Sequence, residues 1–111
     1  MDFQTEKVAA RGVKITLKEG GKECARAFLY VLKNDLHDKP FGFLEDVNIS
    51  EELRGQGIGS KLIQAVINEA KKQGCYKLIG TSRHAREKVH KFYEKLGFNN
   101  YGVEFRMDLA N

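Results

Sequence analysis

Three glycines fall within five residues in Arg54-Gly55-Gln56-Gly57-Ile58-Gly59, directly before Ser60-Lys61-Leu62-Ile63. A strand-like run precedes this segment and a helix-like run follows it. Glycine there frees the backbone to adopt positive φ and lets main-chain N–H groups come close to a ligand. A helix that opens just after the turn aims its unpaired N–H groups and a partial positive charge at the same point. Together these features describe an anion site, with phosphate the commonest occupant. The plainer reading is a tight glycine turn that packs a helix on a sheet.

The flanking patterns set the context. Residues 7–18 alternate in part, with Val13, Ile15 and Leu17 set against Lys14, Thr16 and Lys18, which reads as a half-buried strand. Gly20-Gly21 marks a turn, and residues 23–32 form a more apolar strand, so the pair reads as a β-hairpin. Asn34 to Pro40 is a polar loop. Residues 42–49 read as a third strand with Phe43, Glu45, Val47 and Ile49 on one face and Leu44, Asp46 and Asn48 on the other. Residues 60–73 read as a helix whose stripe is Leu62, Ile63, Val66, Ile67 and Ala70, closed by Gly74. A short strand over 76–81, a helix over 85–96 ended by Gly97, and a last alternating strand over 101–109 complete the chain. A strand–helix–strand step implies a locally parallel pair. The expected fold is α+β: a central mixed, mostly antiparallel sheet with one splayed parallel pair and two main helices.

A chain of 111 residues is read as one domain, 1–111, able to bury roughly two thirds of its unfolded surface. Hydrophobic residues make up 41% and charged residues 31%, as in ordinary globular proteins. No apolar run approaches the roughly 20 residues that span a bilayer, and Met1-Asp2-Phe3-Gln4-Thr5-Glu6 is unlike a signal peptide. The expectation is a cytoplasmic protein with no membrane partner. Cys24 and Cys75 form no CxxC and have no metal-ligand spacing, so no metal is expected and both thiols read as reduced, small apolar residues. The net charge of +4 suits anionic ligands but is too small, and too evenly mixed with acids, to indicate nucleic acid.

Two familiar phosphate loops fit poorly. Gly59-Ser60-Lys61 does not supply the order of a P-loop, and Gly55-Gln56-Gly57-Ile58-Gly59 is not the dinucleotide fingerprint and lacks its preceding unit. The segment from Asp46 to Ile63 instead resembles the acyl-CoA-binding segment of the GNAT superfamily of N-acetyltransferases. That family's pattern, [R/Q]-x-x-G-x-[G/A], is filled by Arg54, Gly57 and Gly59. Downstream, His90-Lys91-Phe92-Tyr93-Glu94-Lys95-Leu96-Gly97-Phe98 resembles the family's F-Y-x-x-x-G-F segment. The two motifs occur in the family's order, and the resemblance covers about residues 7–109.

The resemblance implies acetyl-CoA as co-substrate and a GNAT-like acyl-CoA N-acyltransferase fold. It gives the donor-binding residues as Val47, Asn48 and Ile49 on the third strand, then Arg54, Gly55, Gln56, Gly57, Ile58, Gly59 and Ser60 in the loop. N–H groups of about Gln56 to Ser60 cradle the pyrophosphate, and the backbone of Val47 to Ile49 pairs with the pantetheine arm. That requires the strands at 43–49 and 76–81 to part, and a bulge is a way to part them. The implied chemistry is direct attack of a primary amine on the thioester in a ternary complex. Tyr93 is the implied acid for the leaving thiolate. Glu45 is the candidate base, with a bulge able to exchange it with Asp46. His84 and His90 have suitable chemistry but read as solvated.

Two positions depart from the family pattern. Arg86 and Val89 stand where many members carry an asparagine and a small residue, so Arg86, like Arg83, could reach phosphate instead. Gly20-Gly21 leaves no room for the helices that many members carry between their first two strands. The acceptor groove is then open, suited to a protein side chain or terminus, a polyamine or a small amine, or completed by a second copy in a homodimer. The alternative from another class is an acetyl-CoA-binding sensor or interaction module with weak turnover.

Overall fold

The alternation at Val13, Ile15 and Leu17 becomes β1 (Arg11–Glu19), which turns at Gly20-Gly21 into β2 (Lys22–Leu32). Both turn glycines have positive φ, 57° and 80°. The two strands pair antiparallel, with Val13 opposite Leu29, Ile15 opposite Ala27 and Leu17 opposite Ala25. β3 (Phe41–Ile49) pairs antiparallel with β2, and β4 (Leu78–Gly80) pairs parallel with β3, giving the order β1-β2-β3-β4. The structure, a computed structural model, describes residues 1–110, and the chain divides into two compact units with the boundary at Gly80/Thr81.

In the first unit, α1 (Ile58–Lys72) lies over the sheet, mainly on β2. Its stripe of Leu62, Ile63, Val66 and Ala70 is buried against Ala25, Ala27, Leu29 and Val31 of β2 and Leu44 of β3. Leu29, Ile63 and Val66 are the largest fully buried side chains. Each contributes about 1.5–3 kcal/mol relative to an exposed position. Ile67 is half-buried at the edge of the stripe. Past the helix, Gly74 takes φ 81°, while its N–H bonds Lys71 O and that of Cys75 bonds Ala70 O, closing the last turn. Tyr76 N–H on Pro40 O and Gly42 N–H on Lys77 O then dock the chain beside the start of β3.

The bulge falls at Asp46. The β2–β3 register shifts between Arg26 and Phe28, and Asp46 has φ 50°, the one non-glycine positive φ among the described residues. The expected single face of Phe43, Glu45, Val47 and Ile49 is therefore corrected. Phe43 and Glu45 pair with Tyr30 and Phe28 on the sheet face away from α1. Beyond the bulge the phase inverts: Asn48 pairs with Arg26 on that outer face, and Ile49 pairs with the buried Ala25. Asp46, bonded to Arg26, joins Glu45 on the outer face rather than opposing it.

The second unit contains α2 (Glu87–Lys95), on which Val89, Phe92 and Tyr93 are half-buried. Gly97 follows with φ 103°, and Phe98 N–H bonds Tyr93 O. The expected strand over 101–109 is absent. Residues 99–110 form no helix or strand, and Tyr101, Phe105 and Leu109 are more than nine-tenths exposed. The alternation is present, but a strand needs a neighbour to take its N–H and C=O groups, and no ladder joins this segment among the described residues.

Candidate active site

β3 and β4 stay together only over Gly42/Leu78, Phe43/Ile79 and Leu44/Gly80. β4 then ends, while β3 runs on to Ile49. Glu45, Asn48 and Ile49 thus pair with β2 on one side, Asp46 and Val47 fall in the bulge between them, and no ladder forms on the other side of this stretch. The bulge anticipated from the sequence stands at the start of this stretch. A strand edge without a ladder is the kind of backbone to which an extended ligand can add itself.

The end of β3 leads straight into the glycine segment. Ser50 N–H bonds Cys24 O, and a short 3₁₀ turn over Glu51–Leu53 reverses the chain. Arg54 Nε donates to Ile49 O at 3.2 Å, and Gln56 Nε2 donates to Glu52 O at 2.9 Å. Both side chains brace the loop against the segment before it. Gly55 and Gly57 have φ 80° and 78°. A β-carbon at either would meet nothing within 4 Å, so the backbone angle rather than crowding calls for glycine there. Gly57 is the N-cap of α1, and no side chain caps the helix. The first turn of α1 also carries no acidic residue. N–H groups at Ile58, Gly59 and Ser60 belong to the set that an α-helix leaves without internal acceptors. An uncapped helix start with glycines opening the approach fits a diphosphate.

The two carboxylates on the outer face differ in surroundings. Asp46 accepts from Arg26 Nε at 3.0 Å and from Arg26 Nη2 at 3.2 Å. The hydrogen bonds and charge of Arg26 hold its carboxyl below the usual aspartate range. Arg26 in turn lies 3.6 Å from Glu23, which receives Lys14 at 2.6 Å. Glu45 is exposed and has no ion-pair partner among the described residues. Arg26, Glu23 and Lys14 were not singled out from the sequence. The alternation around them reads as an ordinary solvated strand face, and only the register brings Arg26 to Asp46.

In the second unit, Arg86 is the N-cap of α2, and its N–H bonds Arg83 O. Tyr93 stands two turns further along the helix and packs edge-on against Phe98, with ring centroids 5.3 Å apart. Burial pushes its phenol above the ordinary value, opposed by the charge of Arg86. His90 Nε2 lies 2.9 Å from Arg83 O, so that ring nitrogen donates to the backbone, and His84 is exposed. Cys75 is half-buried, and its thiol is pushed up by burial, which disfavours the nucleophilic thiolate.

A family model described as the acetyltransferase (GNAT) family matches residues 4–98. The chain belongs to the GNAT acetyltransferase family. It is 41% identical over 68 residues to glucosamine 6-phosphate N-acetyltransferase of Trypanosoma brucei brucei, covering 61% of this chain and 44% of that protein. It is 30% identical over 98 residues to the Arabidopsis thaliana protein of the same name, covering 88% of this chain and 54% of that one. A crystal structure of the Arabidopsis thaliana enzyme superposes with a TM-score of 0.79 at 28% identity, covering 89% of this chain and 67% of that one. The chain thus spans about half the length of these two sequence relatives. The four-stranded mixed sheet and two helices are consistent with the GNAT α+β fold.

Proposed function

We propose that this GNAT chain, acting as one domain over 1–111, transfers an acetyl group from acetyl-CoA to a primary amine. The observation that carries the proposal is the continuity of a half-paired β3 with an uncapped, glycine-opened start of α1. One element offers a free backbone edge and the next offers a cluster of N–H donors, matching a ligand with an amide-rich arm and a diphosphate.

The N–H groups from Gln56 to Ser60 hold the diphosphate, each charge-assisted bond contributing roughly 1.5–3 kcal/mol. Arg54 adds positive charge beside them. The backbone of Val47, Asn48 and Ile49 orients the pantetheine arm, and an N–H in this stretch polarises the thioester carbonyl. Glu45, rather than the clamped Asp46, takes the proton from the incoming ammonium, directly or through water. Tyr93 keeps its proton through neutral pH and gives it to the departing thiolate.

The two relatives above act, by name, on an amino sugar phosphate, so glucosamine 6-phosphate heads the acceptors to be tried. Polyamines, peptide N-termini and lysine peptides complete the set. The test is calorimetric titration with acetyl-CoA followed by a thiol-release assay over that panel. The expected result is binding and amine-dependent thiol release that falls at least tenfold in Glu45→Gln. Binding without release for any amine would replace the enzyme reading with a sensor module. Failure to bind acetyl-CoA would overturn both.

A further inference from the structure

Asp46 holds a left-handed backbone without being glycine, at the point where β3 changes phase and begins its half-paired stretch. Such a conformation persists only where its surroundings over-determine it. The surroundings here are specific. Arg26, the residue on β2 beside the register shift, grips both carboxylate oxygens of Asp46 in a forked, two-bond geometry. Glu23 approaches Arg26 from the other side, and Lys14 on β1 anchors Glu23, so alternating charges cross three strands and end on the bulge.

We propose that Arg26 is a positioning residue for the acyl donor: by clamping Asp46 it holds the β3 bulge and thereby sets the direction of the Val47–Ile49 backbone. The inference rests on the donor-binding role given above to residues 47–49. Arg26 itself touches no substrate. Its action passes through the backbone angle of Asp46, and that separates it from an ordinary surface ion pair, which contributes little.

The separation can be measured with a double-mutant cycle. Arg26→Met leaves Asp46 strained and unclamped, so the Kd for CoA and the KM for acetyl-CoA rise about tenfold, and kcat falls with them because the polarising N–H of this stretch shifts too. Asp46→Gly accepts positive φ without a clamp, so the bulge survives and CoA affinity stays within about threefold of wild type. Adding Arg26→Met to Asp46→Gly then costs little more. Asp46→Asn supplies a second folded background, since asparagine tolerates the left-handed region but loses the charge. Its CoA affinity falls between those of wild type and Arg26→Met.

CoA binding by calorimetry is the readout, with circular dichroism confirming the fold. Wild-type binding with unchanged affinity in Arg26→Met overturns the positioning role and leaves the proposed function standing. Equal losses from Arg26→Met in the wild-type and Asp46→Gly backgrounds also overturn it, because the effect would not pass through the bulge. A wild-type chain that binds no CoA overturns the inference together with the function on which it rests.

Discussion

Arg54 Nε and the carbonyl oxygen of Ile49 lie 3.2 Å apart, so the guanidinium of the glycine loop is tied back to the last residue of β3. One side chain thereby fixes the spacing between the half-paired strand and the helix start. Arg54→Ala removes both the brace and the charge. The KM for acetyl-CoA is expected to rise tenfold or more, about the loss of one charge-assisted bond. Arg54→Lys restores charge without the guanidinium fork and recovers only part of it. Steady-state kinetics over acetyl-CoA concentration check both.

Gly59 offers a cleaner probe of the loop than Gly57. Gly57 has φ 78°, so any side chain there strains the backbone, whereas Gly59 lies within α1 and has no positive φ. Alanine at position 59 favours the helix by up to about 1 kcal/mol but places a methyl group in the proposed phosphate approach. Gly59→Ala is therefore expected to keep or raise Tm while weakening CoA binding at least tenfold. Thermal unfolding paired with calorimetry reads both, and unchanged CoA affinity would remove the loop from the donor site.

Tyr93→Phe is expected to lower kcat about tenfold to a hundredfold with the KM for acetyl-CoA little changed, the range of a lost general acid. Its pH dependence has a definite sign. Burial raises the phenol's pKa above 10.0, so the neutral form is the one the fold favours. The contribution to stability is complete below the unfolded value and is lost as pH rises through the folded one. The alkaline limb of kcat in the wild type should thus lie above the ordinary tyrosine range and vanish in Tyr93→Phe.

Gly42 is a packing requirement rather than a functional one. A β-carbon there would stand 2.9 Å from Leu29 Cδ1 and 3.0 Å from Leu78 Cδ1, where β2, β3 and β4 converge. Gly42→Ala is expected to cost about 1–3 kcal/mol and lower Tm by about 4–15 °C. Gly102→Ala, with nothing within 4 Å and no positive φ, should leave Tm unchanged.

Local patterns made the hairpin, α1 and the glycine loop readable, because each depends on residues close in sequence. The stripe Leu62, Ile63, Val66 and Ala70 is buried as its spacing implies. The bulge could be anticipated, but its effect on faces could not. Asp46 and Arg26 are twenty positions apart, and only the strand register brings them together. The segment 101–109 failed for the opposite reason. Its alternation would make a two-faced strand, yet alternation says nothing about whether a neighbouring strand is there to pair with it. Of the site, the loop and the β3 edge were legible, whereas the charge chain Lys14–Glu23–Arg26–Asp46 had no local signature.

The short parallel ladder between β3 and β4 also has a dynamic meaning. β4 is fastened to the sheet through Gly42/Leu78, Phe43/Ile79 and Leu44/Gly80, while β2 is paired along most of its length on both sides. Opening free energies follow such differences. Amides of β4 should exchange with solvent sooner than those of β2. A ligand seated along β3 would stabilise the closed form by mass action. On the proposed donor site, the half-paired stretch of β3 would then become a place where binding is converted into rigidity.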